Sequence, residues 1–297
     1  VMGNTASGIN YGLIGAITEK ESATLVIDSA DFQSDGNIVI EPRTNYTIGR
    51  FEVPVINDIS RVGLMVTNVL RKNNPGATVA GMDWNLGFFD NKLFTNGQIV
   101  RSDANDIIGN AVRFNLGYMD PIWWSARFWY GYYNDKFDVN DLGYLRRNDM
   151  NWAGGRAEFR KQEPWGKFIK NDLELKYKQE WRGDGLVLER EIEIEQNNLF
   201  TNYWKIGFFS KLFLPAYNDE DIFRNEQAWA YKTELWGYAG PSISTDRRKK
   251  LVIDASIGAG YGKKRGRGYR INLGAEIKPI EPLNIEIKAQ QDRSPTY

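Results

Sequence analysis

The sequence predicts an all-β fold, an antiparallel transmembrane β-barrel of the bacterial outer membrane with roughly 14–16 strands. Three observations predict it. Apolar and polar side chains alternate along most of the chain, the alternating segments are long enough to cross a bilayer, and short connections alternate with longer ones. Residues 1–297 form one predicted barrel domain. Because bacterial barrels generally have an even strand number, the odd count given below predicts either an undercount or missing strands, and the chain is interpreted as part of a longer protein.

Alternation with a period of two is clearest in the second half of the chain. Every second residue from Glu189 to Glu195 is a glutamate, and Leu251, Ile253 and Ile257 share one face of the next clear example. A soluble sandwich alternates too, but its strands average about five or six residues. The segments here run to roughly ten or more, which favours a membrane barrel. No internal repeat indicates a propeller or a solenoid.

About fifteen such segments can be distinguished. They lie at residues 9–18, 44–56, 60–71, 77–89, 92–102, 109–119, 122–134, 150–162, 168–182, 186–197, 202–214, 227–239, 250–262, 267–279 and 283–293. Short connections lie at 57–60, 89–92, 119–121, 163–167 and 279–282, and longer ones at 19–43, 72–77, 102–109, 135–149, 215–226 and 263–268. Two connections break the alternation, because 240–249 is long on the short side and 182–185 is short on the long side.

The composition excludes several classes of site. The chain has 38 basic and 38 acidic residues, no histidine and no cysteine. Balanced charge predicts no nucleic-acid partner. Without histidine or cysteine, the chain alone cannot build a Ser-His-Asp triad, a Cys-His pair or a thiolate metal site. No cofactor is therefore expected, and a non-enzymatic role is favoured over an enzymatic one.

The polar positions of the alternating segments predict a charged lumen. Pairs of carboxylates could serve a glycosidase, but so many pairs exist that a solvated, cross-strand-paired wall is the better interpretation. Such a wall could also set ion selectivity. The predicted lumen-lining residues are Glu174, Lys176, Lys178, Glu180, Glu189, Glu191, Glu193, Glu195, Lys205, Lys232, Glu234, Arg270 and Glu276.

The apolar and aromatic positions predict the lipid-facing surface. Aromatic rings at strand ends suit the headgroup layer, because their bodies are apolar and their tips polar. Ordinary core aromatics are the alternative, and Trp236 is included among the girdle rings. The predicted lipid-facing or girdle residues are Trp124, Phe128, Tyr130, Trp204, Trp229, Tyr231, Leu251, Ile253, Ile257, Tyr269, Ile271 and Leu273.

Three connections carry chemistry-bearing residues. Loop 134–149 groups Asp135, Asp138 and Asp141, whose oxygens could bind Ca²⁺, although a solvated loop is the favoured interpretation and no metal site is assigned. Loop 215–226 is interpreted in the same way. The glycines of 258–266 predict a strand and a turn, because no helix follows as a phosphate loop requires. A basic run beside them is predicted to contact lipopolysaccharide phosphates, and it comprises Lys263, Lys264, Arg265 and Arg267.

Several short motifs resemble a known family. The stretches 43–72, 80–92 and 140–155 contain Val62-Gly63-Leu64 with Thr67-Asn68, then Gly81 and Asp83, then Asp141-Leu142-Gly143-Tyr144-Leu145 with Asn148-Asp149. This pattern resembles a Bacteroidota-type outer-membrane family, domain of unknown function 5916, usually found behind a carbohydrate-binding family 9-like domain. The resemblance covers roughly 9–297. It implies a barrel in a Gram-negative bacterium linked to glycan handling, with an N-terminal domain and the last strands missing. Because the family has no established activity, no catalytic residue is carried over.

Three functions compete at this point. The leading one is a porin-like outer-membrane channel, or a surface scaffold, linked to glycan binding or uptake. An outer-membrane enzyme acting on polysaccharide or lipid through carboxylates is the first alternative, and a structural subunit of an envelope assembly is the second. The expected partners are outer-membrane lipid and lipopolysaccharide, together with glycans and other envelope proteins.

Overall fold

The computed structural model describes residues 1–29, 32–220, 230–263, 266–280 and 282–293. The strands are β1 (Met2–Asn4), β2 (Asn10–Thr18), β3 (Glu21–Ser29), β4 (Phe32–Glu41), β5 (Thr44–Val55), β6 (Asn57–Arg71), β7 (Ala77–Phe88), β8 (Leu93–Ala104), β9 (Ile107–Met119), β10 (Trp124–Tyr133), β11 (Met150–Lys161), β12 (Phe168–Arg182), β13 (Val187–Phe200), β14 (Lys205–Phe213), β15 (Ala216–Asn218), β16 (Tyr231–Thr233), β17 (Trp236–Ser244), β18 (Leu251–Gly262), β19 (Gly266–Ile280) and β20 (Leu283–Arg293). No described helix has the length and apolar character needed to span a membrane.

Sixteen strands form one sheet in the order β1-β2-β5-β6-β7-β8-β9-β10-β11-β12-β13-β14-β17-β18-β19-β20. The strand β3 pairs antiparallel with β4, and β15 pairs antiparallel with β16, as two separate two-stranded sheets. Neighbours in the large sheet follow one another in the chain, apart from the two inserted hairpins, as short antiparallel connections require. The predicted all-β, antiparallel fold is confirmed, and the fifteen predicted segments correspond to β2, β5–β14 and β17–β20.

Closure of the sheet into a barrel is not observed in the described strands. The order of the sheet begins at β1 and ends at β20, and β1 pairs only with β2, through Met2, Gly3 and Asn4. A closed barrel needs the first and last strands to pair with each other along their length. With three residues, β1 offers too few backbone groups to β20, which has eleven.

Several connections differ from their predicted lengths. The predicted loop 102–109 is a two-residue turn, because Asn105 and Asp106 both adopt positive φ and let β8 and β9 extend toward each other. The connection predicted at 240–249 is shorter than expected, because β17 continues to Ser244 and β18 begins at Leu251. Residues 227–229 of the predicted segment 227–239 lie outside the described residues. The remainder is not one strand, because β16 belongs to the inserted hairpin and only β17 joins the large sheet.

The chain divides into two compact units. Unit 1 comprises Val1–Asp90, Phe94–Asn115 and Gly131–Met150, and unit 2 comprises Asn91–Leu93, Leu116–Tyr130 and Asn151–Tyr297. In each unit the register separates two faces of the sheet. The apolar face carries residues such as Leu64 and Leu70 in unit 1 and Leu175 and Leu273 in unit 2. The opposite face, called the polar face below, carries most of the charged strand residues.

The one cluster of buried apolar residues described lies on the polar face of unit 1. It consists of Val69, Ala77 and Ala104, with Tyr46 packed against it. Val69 pairs with Ala77 across β6 and β7, and Tyr46 pairs with Val69 across β5 and β6. Large apolar side chains, in contrast, are exposed on the apolar face. The distribution is the reverse of that in a water-soluble sheet, where the apolar face is buried.

Candidate functional site

A closed arrangement of four charges, here called the charge ring, lies on the polar face of unit 2. The register places Lys176 of β12 opposite Glu193 of β13, and Glu193 opposite Lys211 of β14. Lys176 Nζ lies 2.7 Å from Glu193 Oε2 and 3.6 Å from Glu191 Oε1. Lys211 Nζ lies 2.6 Å from Glu193 Oε1 and 2.8 Å from Glu191 Oε2. Each lysine therefore bridges both glutamates, and Glu191 is only 4% exposed.

Further ion pairs extend this pattern along the neighbouring strands. Lys178 Nζ lies 2.7 Å from Glu180 Oε1 and 3.2 Å from Glu189 Oε1. Arg156 of β11 reaches Glu174 of β12 at 2.7 Å. Asn197 donates to Glu195 at 2.8 Å. The structure thus brings most of the predicted lumen residues together as a cross-strand-paired wall, as the alternation in the sequence indicates.

Aromatic side chains border the charge ring on the same face. The rings of Phe213 and Trp236 stack with centroids 4.2 Å apart, and Tyr238 lies 6.0 Å from Trp236. Lys211 Nζ sits 5.1 Å from the centroid of Phe213. The assignment of Trp236 to a lipid-facing girdle is wrong, because it pairs with Phe213 and Gly262 on the polar face. The sequence alone does not signal this placement, because it depends on the register between β14 and β17.

A second charged cluster lies on the polar face of unit 1. The guanidinium of Arg50 in β5 is paired with Asp83 in β7 and reaches Glu52 at 3.1 Å. Arg61 approaches Glu52 at 3.7 Å. Gly63 of β6 lies between Arg50 and Asp83, and a Cβ at Gly63 would overlap the Arg50 guanidinium. The missing side chain therefore leaves the path open for the Arg50–Asp83 pair, which sequence reasoning did not assign to a site.

The predicted lipid-facing residues mostly lie on the apolar face with large exposed fractions. Leu251, Ile253, Ile257, Leu273 and Phe128 are 46–54% exposed. Tyr269 pairs with Ala259, and Ile271 with Ile257, on that face. The Tyr130 hydroxyl donates to Asn151 Oδ1 at 3.3 Å, and the centroid of the Tyr130 ring lies 6.5 Å from that of Trp181. These placements agree with the predicted faces; contact with lipid stays a prediction.

Aromatic rings cluster where short turns connect the strands of unit 2. Trp124 lies 4.8 Å from Tyr118, and Trp165 lies 5.1 Å from Phe168. Trp204 is 40% exposed in the turn between β13 and β14. These rings therefore sit at the strand ends, where a membrane girdle is expected.

Other predicted residues lie elsewhere or outside the described chain. Tyr231 and Lys232 belong to the β15–β16 hairpin, and Glu234 lies between that hairpin and β17, so none of the three lies on the large sheet. Lys205 and Arg270 lie on the polar face, opposite Ser244 and Asp292, and Glu276 pairs with Lys278 at 3.2 Å. Lys263 is exposed in a turn, and Arg267 lies opposite Tyr261. Trp229, Lys264 and Arg265 lie outside the described residues.

The acidic residues of loop 134–149 are engaged in contacts within the protein. Asp138 accepts hydrogen bonds from the backbone and side-chain nitrogens of Asn140, at 2.9 and 2.7 Å. Asp141 forms an ion pair with Arg71 of β6. In the part of the chain that the structure describes, no three acidic side chains come together in a geometry that could hold a metal ion.

Two connections between strands contain carboxylates with depressed pKa values. Asp246, after β17, accepts hydrogen bonds from Arg248, at 2.9 Å to each of its two oxygens, and this partner lowers the pKa of Asp246 to about 2. Arg248 also covers the Tyr203 ring, with its Cζ 3.1 Å from the centroid. Arg182 lowers the pKa of Asp184 in the turn between β12 and β13. Both pairs fix a turn rather than prepare an acid or base.

Comparison with known proteins assigns the chain to a protein family. The family model described as "Domain of unknown function (DUF5916)" matches residues 1–296. The chain belongs to this family. The predicted resemblance is thereby confirmed, whereas the Bacteroidota source and the neighbouring sugar-binding-like domain stay predictions. No curated protein matches this DUF5916 chain.

One solved structure similar to the DUF5916 chain is described as "Bacterial polysaccharide outer membrane secretin". The two share 12% sequence identity over 85% of this chain and 84% of that chain, with a TM-score of 0.37. A similarity at this level supports no conclusion about the fold or the function of the DUF5916 chain.

Proposed function

We propose that this protein is an outer-membrane β-barrel of a Gram-negative bacterium, whose polar face lines an aqueous lumen and whose role is passage or capture of glycans. The observation that carries the proposal is the inverted burial of the sheet. Leu273 is 54% exposed and Phe208 44% exposed on the apolar face, whereas Glu191 on the polar face is 4% exposed. In water, a row of exposed leucine, isoleucine and phenylalanine side chains is unfavourable, and a hydrocarbon layer removes that cost.

The strand lengths support the same proposal. Both β12 and β19 have 15 residues. At roughly 3.3 Å per residue, such a strand is about 50 Å long, and a tilt of about 45° leaves about 35 Å along the membrane normal. A bilayer core is about 30 Å thick, so these strands would cross it with residues to spare in the interfaces.

Near the short-turn end of unit 2, amide side chains replace apolar ones on the apolar face, as a membrane boundary would require. Trp165 Nε1 donates to Asn171 Oδ1 at 2.6 Å, and Asn171 Nδ2 donates to Asn198 Oδ1 at 2.6 Å. Asn171 lies two residues before the apolar-face Leu173 on the same strand. Amide groups and indole N–H groups suit the headgroup region rather than hydrocarbon, which supports placing the boundary here.

The glycan part of the proposal rests on the aromatic rings beside the charge ring. A sugar ring has apolar C–H faces and hydroxyls that both donate and accept hydrogen bonds. Trp236 and Tyr238 offer aromatic surface, while the neighbouring lysines offer hydrogen-bond donors and the neighbouring glutamates offer acceptors. Because the charges are paired, this wall would not strongly favour either sign of ion, which suits a neutral solute.

Membrane insertion can be tested by gel mobility and bilayer conductance. A folded barrel resists SDS until it is heated, so unheated and boiled samples should migrate differently, and the purified protein should need detergent. In planar bilayers it should give discrete conductance steps. Identical migration with full solubility in buffer would refute the barrel, and a folded but silent barrel would refute the channel.

Glycan passage can be tested by liposome swelling with glucose oligomers of increasing length. We expect Trp236→Ala to change the swelling rate several-fold for the longer oligomers. The matched control is Phe208→Ala, which removes an aromatic ring from the apolar face of a neighbouring strand. Equal rates for both variants and the parent would remove the support for a sugar-binding role of this surface.

A further inference from the structure

The segment between β10 and β11, residues 134–149, begins and ends at residues that are hydrogen-bonded to each other. Asn134 N donates to Asn110 O at 3.1 Å, and Asp149 N donates to Asn134 O at 3.2 Å. The hydrogen bonding of the hairpin is therefore complete at Asn134 and Asp149. The residues between them are an insertion that the hairpin does not need for its own pairing, and they are called the docked segment below.

The docked segment is packed against the polar face of unit 1. Phe137 is 5% exposed and stacks on Tyr133 with ring centroids 5.3 Å apart. Asp138 N donates to Ser102 Oγ at 3.1 Å, and Ser102 in β8 is fully buried. A Cβ at Gly109 in β9 would overlap the backbone of Phe137. The strands thus provide a glycine for close approach and a buried hydroxyl as an acceptor.

An ion pair and internal hydrogen bonds hold the segment in this conformation. Asp141 pairs with Arg71 of β6, and both side chains are only about a fifth exposed, at 22% and 20%. Asn140 Oδ1 accepts from Leu145 N at 2.8 Å, and Asn148 Nδ2 donates to Asp135 O at 2.6 Å. A solvated loop, which the sequence favours, has no need of such contacts with the sheet.

A small cavity of about 170 Å³ separates the middle of the segment from the strands. Val139, Leu142 and Gly143 line it from the segment, and residues of β6, β7 and β8 line it from the sheet. Five residues that carry the family resemblance lie in this lining: Thr67, Gly81, Asp83, Leu142 and Gly143. Part of the pattern that carries the family resemblance therefore lies where the segment meets the sheet face.

We propose that the docked segment is a fixed plug that narrows the lumen of the barrel. This inference rests on the proposed function, since the polar face lines a lumen only if the sheet closes. A closed barrel of sixteen or more strands would leave an aqueous channel if nothing filled it. The docked segment lies on the side of the sheet that would face this channel, beside the Arg50–Asp83 pair, and therefore limits the size of solute that passes.

The decisive variant removes residues 135–148 and joins Asn134 to Asp149 through an Asn-Gly turn. Because the hairpin base closes at these two residues, β10 and β11 keep their pairing. We expect single-channel conductance to rise several-fold above that of the parent. A variant with heat-modifiable mobility and the parent's conductance, including no conductance in either, would overturn the plug.

Docking itself can be measured by thiol labelling of the detergent-solubilised protein. The parent has no cysteine, so a single introduced cysteine is the only thiol that reacts. In Ser102→Cys the thiol should react slowly with a maleimide while the segment is present, and at least ten times faster after its removal. Ser256→Cys, half-buried on the polar face of unit 2, is the control and should react equally in both forms. Rapid labelling of Ser102→Cys in the intact chain would overturn the proposal.

The two readouts separate the two failures. Protected Ser102→Cys in a protein that never inserts into bilayers would refute the outer-membrane function and, with it, the plug. Normal insertion with an unprotected Ser102→Cys would refute the plug and leave the proposed function standing. Protection together with increased conductance of the shortened chain supports both.

Discussion

At the scale of single residues, small side chains decide which polar contacts can form. Gly63 gives Arg50 room to reach Asp83, and Gly109 lets the docked segment approach β9. Both positions lie on the polar face, next to groups that make ion pairs or buried hydrogen bonds. By comparison, a Cβ at Gly49 on the apolar face of β5 would have nothing within 4 Å. The role of a glycine here depends on its neighbours and not on its φ angle.

The first prediction concerns Gly63→Ala. The added methyl displaces the Arg50 guanidinium and weakens its pairing with Asp83, so we expect the free energy of unfolding to fall by about 1–3 kcal/mol. Urea unfolding in detergent or lipid measures it. Gly49→Ala is the matched control and should change stability by less than about 0.5 kcal/mol. Equal effects of the two substitutions would show that Arg50 has room to move aside.

The second prediction concerns acid stability and Asp246. Its pKa is lowered by Arg248 to about 2 in the folded protein, from an ordinary value of 3.8. A carboxyl with a lowered folded pKa stabilises the fold at pH values above the unfolded value, and this contribution is lost as the pH falls from about 4 to about 2. Asp246→Asn should therefore flatten the stability profile between these pH values. The control is Asp58→Asn, at an exposed carboxylate, whose profile should match that of the parent.

At the scale of elements, β12, β13 and β14 form the most highly charged part of the sheet. Their register places lysines opposite Glu191 and Glu193, whereas Glu189 and Glu195 lie opposite glutamates of β12. Lys178 lies 2.7 Å from Glu180 and 3.2 Å from Glu189, so that this pair of opposed carboxylates shares a cation. Half-buried charges need such partners, because removing one partner leaves the other desolvated and unpaired. This compensation explains how Glu189, Glu191 and Glu193 are accommodated at alternate positions in β13.

The third prediction tests the charge ring. Glu191→Gln removes the carboxylate that faces both Lys176 and Lys211, and we expect a loss of about 1–3 kcal/mol in the free energy of unfolding. Glu286→Gln is the control, because its ion pair with Lys288 at 2.8 Å is largely exposed and should contribute about 0–1 kcal/mol. A smaller loss for Glu191→Gln than for Glu286→Gln would contradict the burial argument.

At the scale of the whole molecule, each unit exposes an apolar face and turns its buried or paired polar groups to the other side. Unit 1 exposes Leu64 and Leu70, and unit 2 exposes Ile257 and Ile287. A face of this kind is stable in hydrocarbon and unstable in water. Under the proposed function, the hydrocarbon around the sheet, rather than any single contact, determines whether the sequence folds as described.

The fourth prediction separates lipid from water as that environment. Ile257→Lys places a charge on the apolar face, and in a bilayer it should destabilise the protein by about 2–4 kcal/mol near the midplane. The neighbouring control Ser256→Lys points to the polar face and should cost less than about 1 kcal/mol. Folding into lipid vesicles at increasing urea measures both. Equal costs for the two variants would argue against a lipid-facing surface.

The strands were largely predictable from the sequence, whereas the docked segment was not. Alternation located fifteen of the sixteen sheet strands, because the two-residue period records directly which face each side chain takes. It merged β16 with β17, since Tyr231 and Trp236 carry the same kind of aromatic signal in different sheets. It also interpreted 134–149 as a solvated loop, because the contact of Asp141 with Arg71 spans seventy positions of the chain and leaves no local pattern.

The sequence by itself determined the antiparallel β fold, the two faces of the sheet and the family, because each depends on local alternation or on short motifs. Only the tertiary structure decided which charges meet in the charge ring, that Trp236 faces the polar side, that β1 and β20 do not pair in the described chain, and that the docked segment covers β6–β9. These features depend on strand register and on packing between distant residues. A period of two gives the face of a side chain but not its partner.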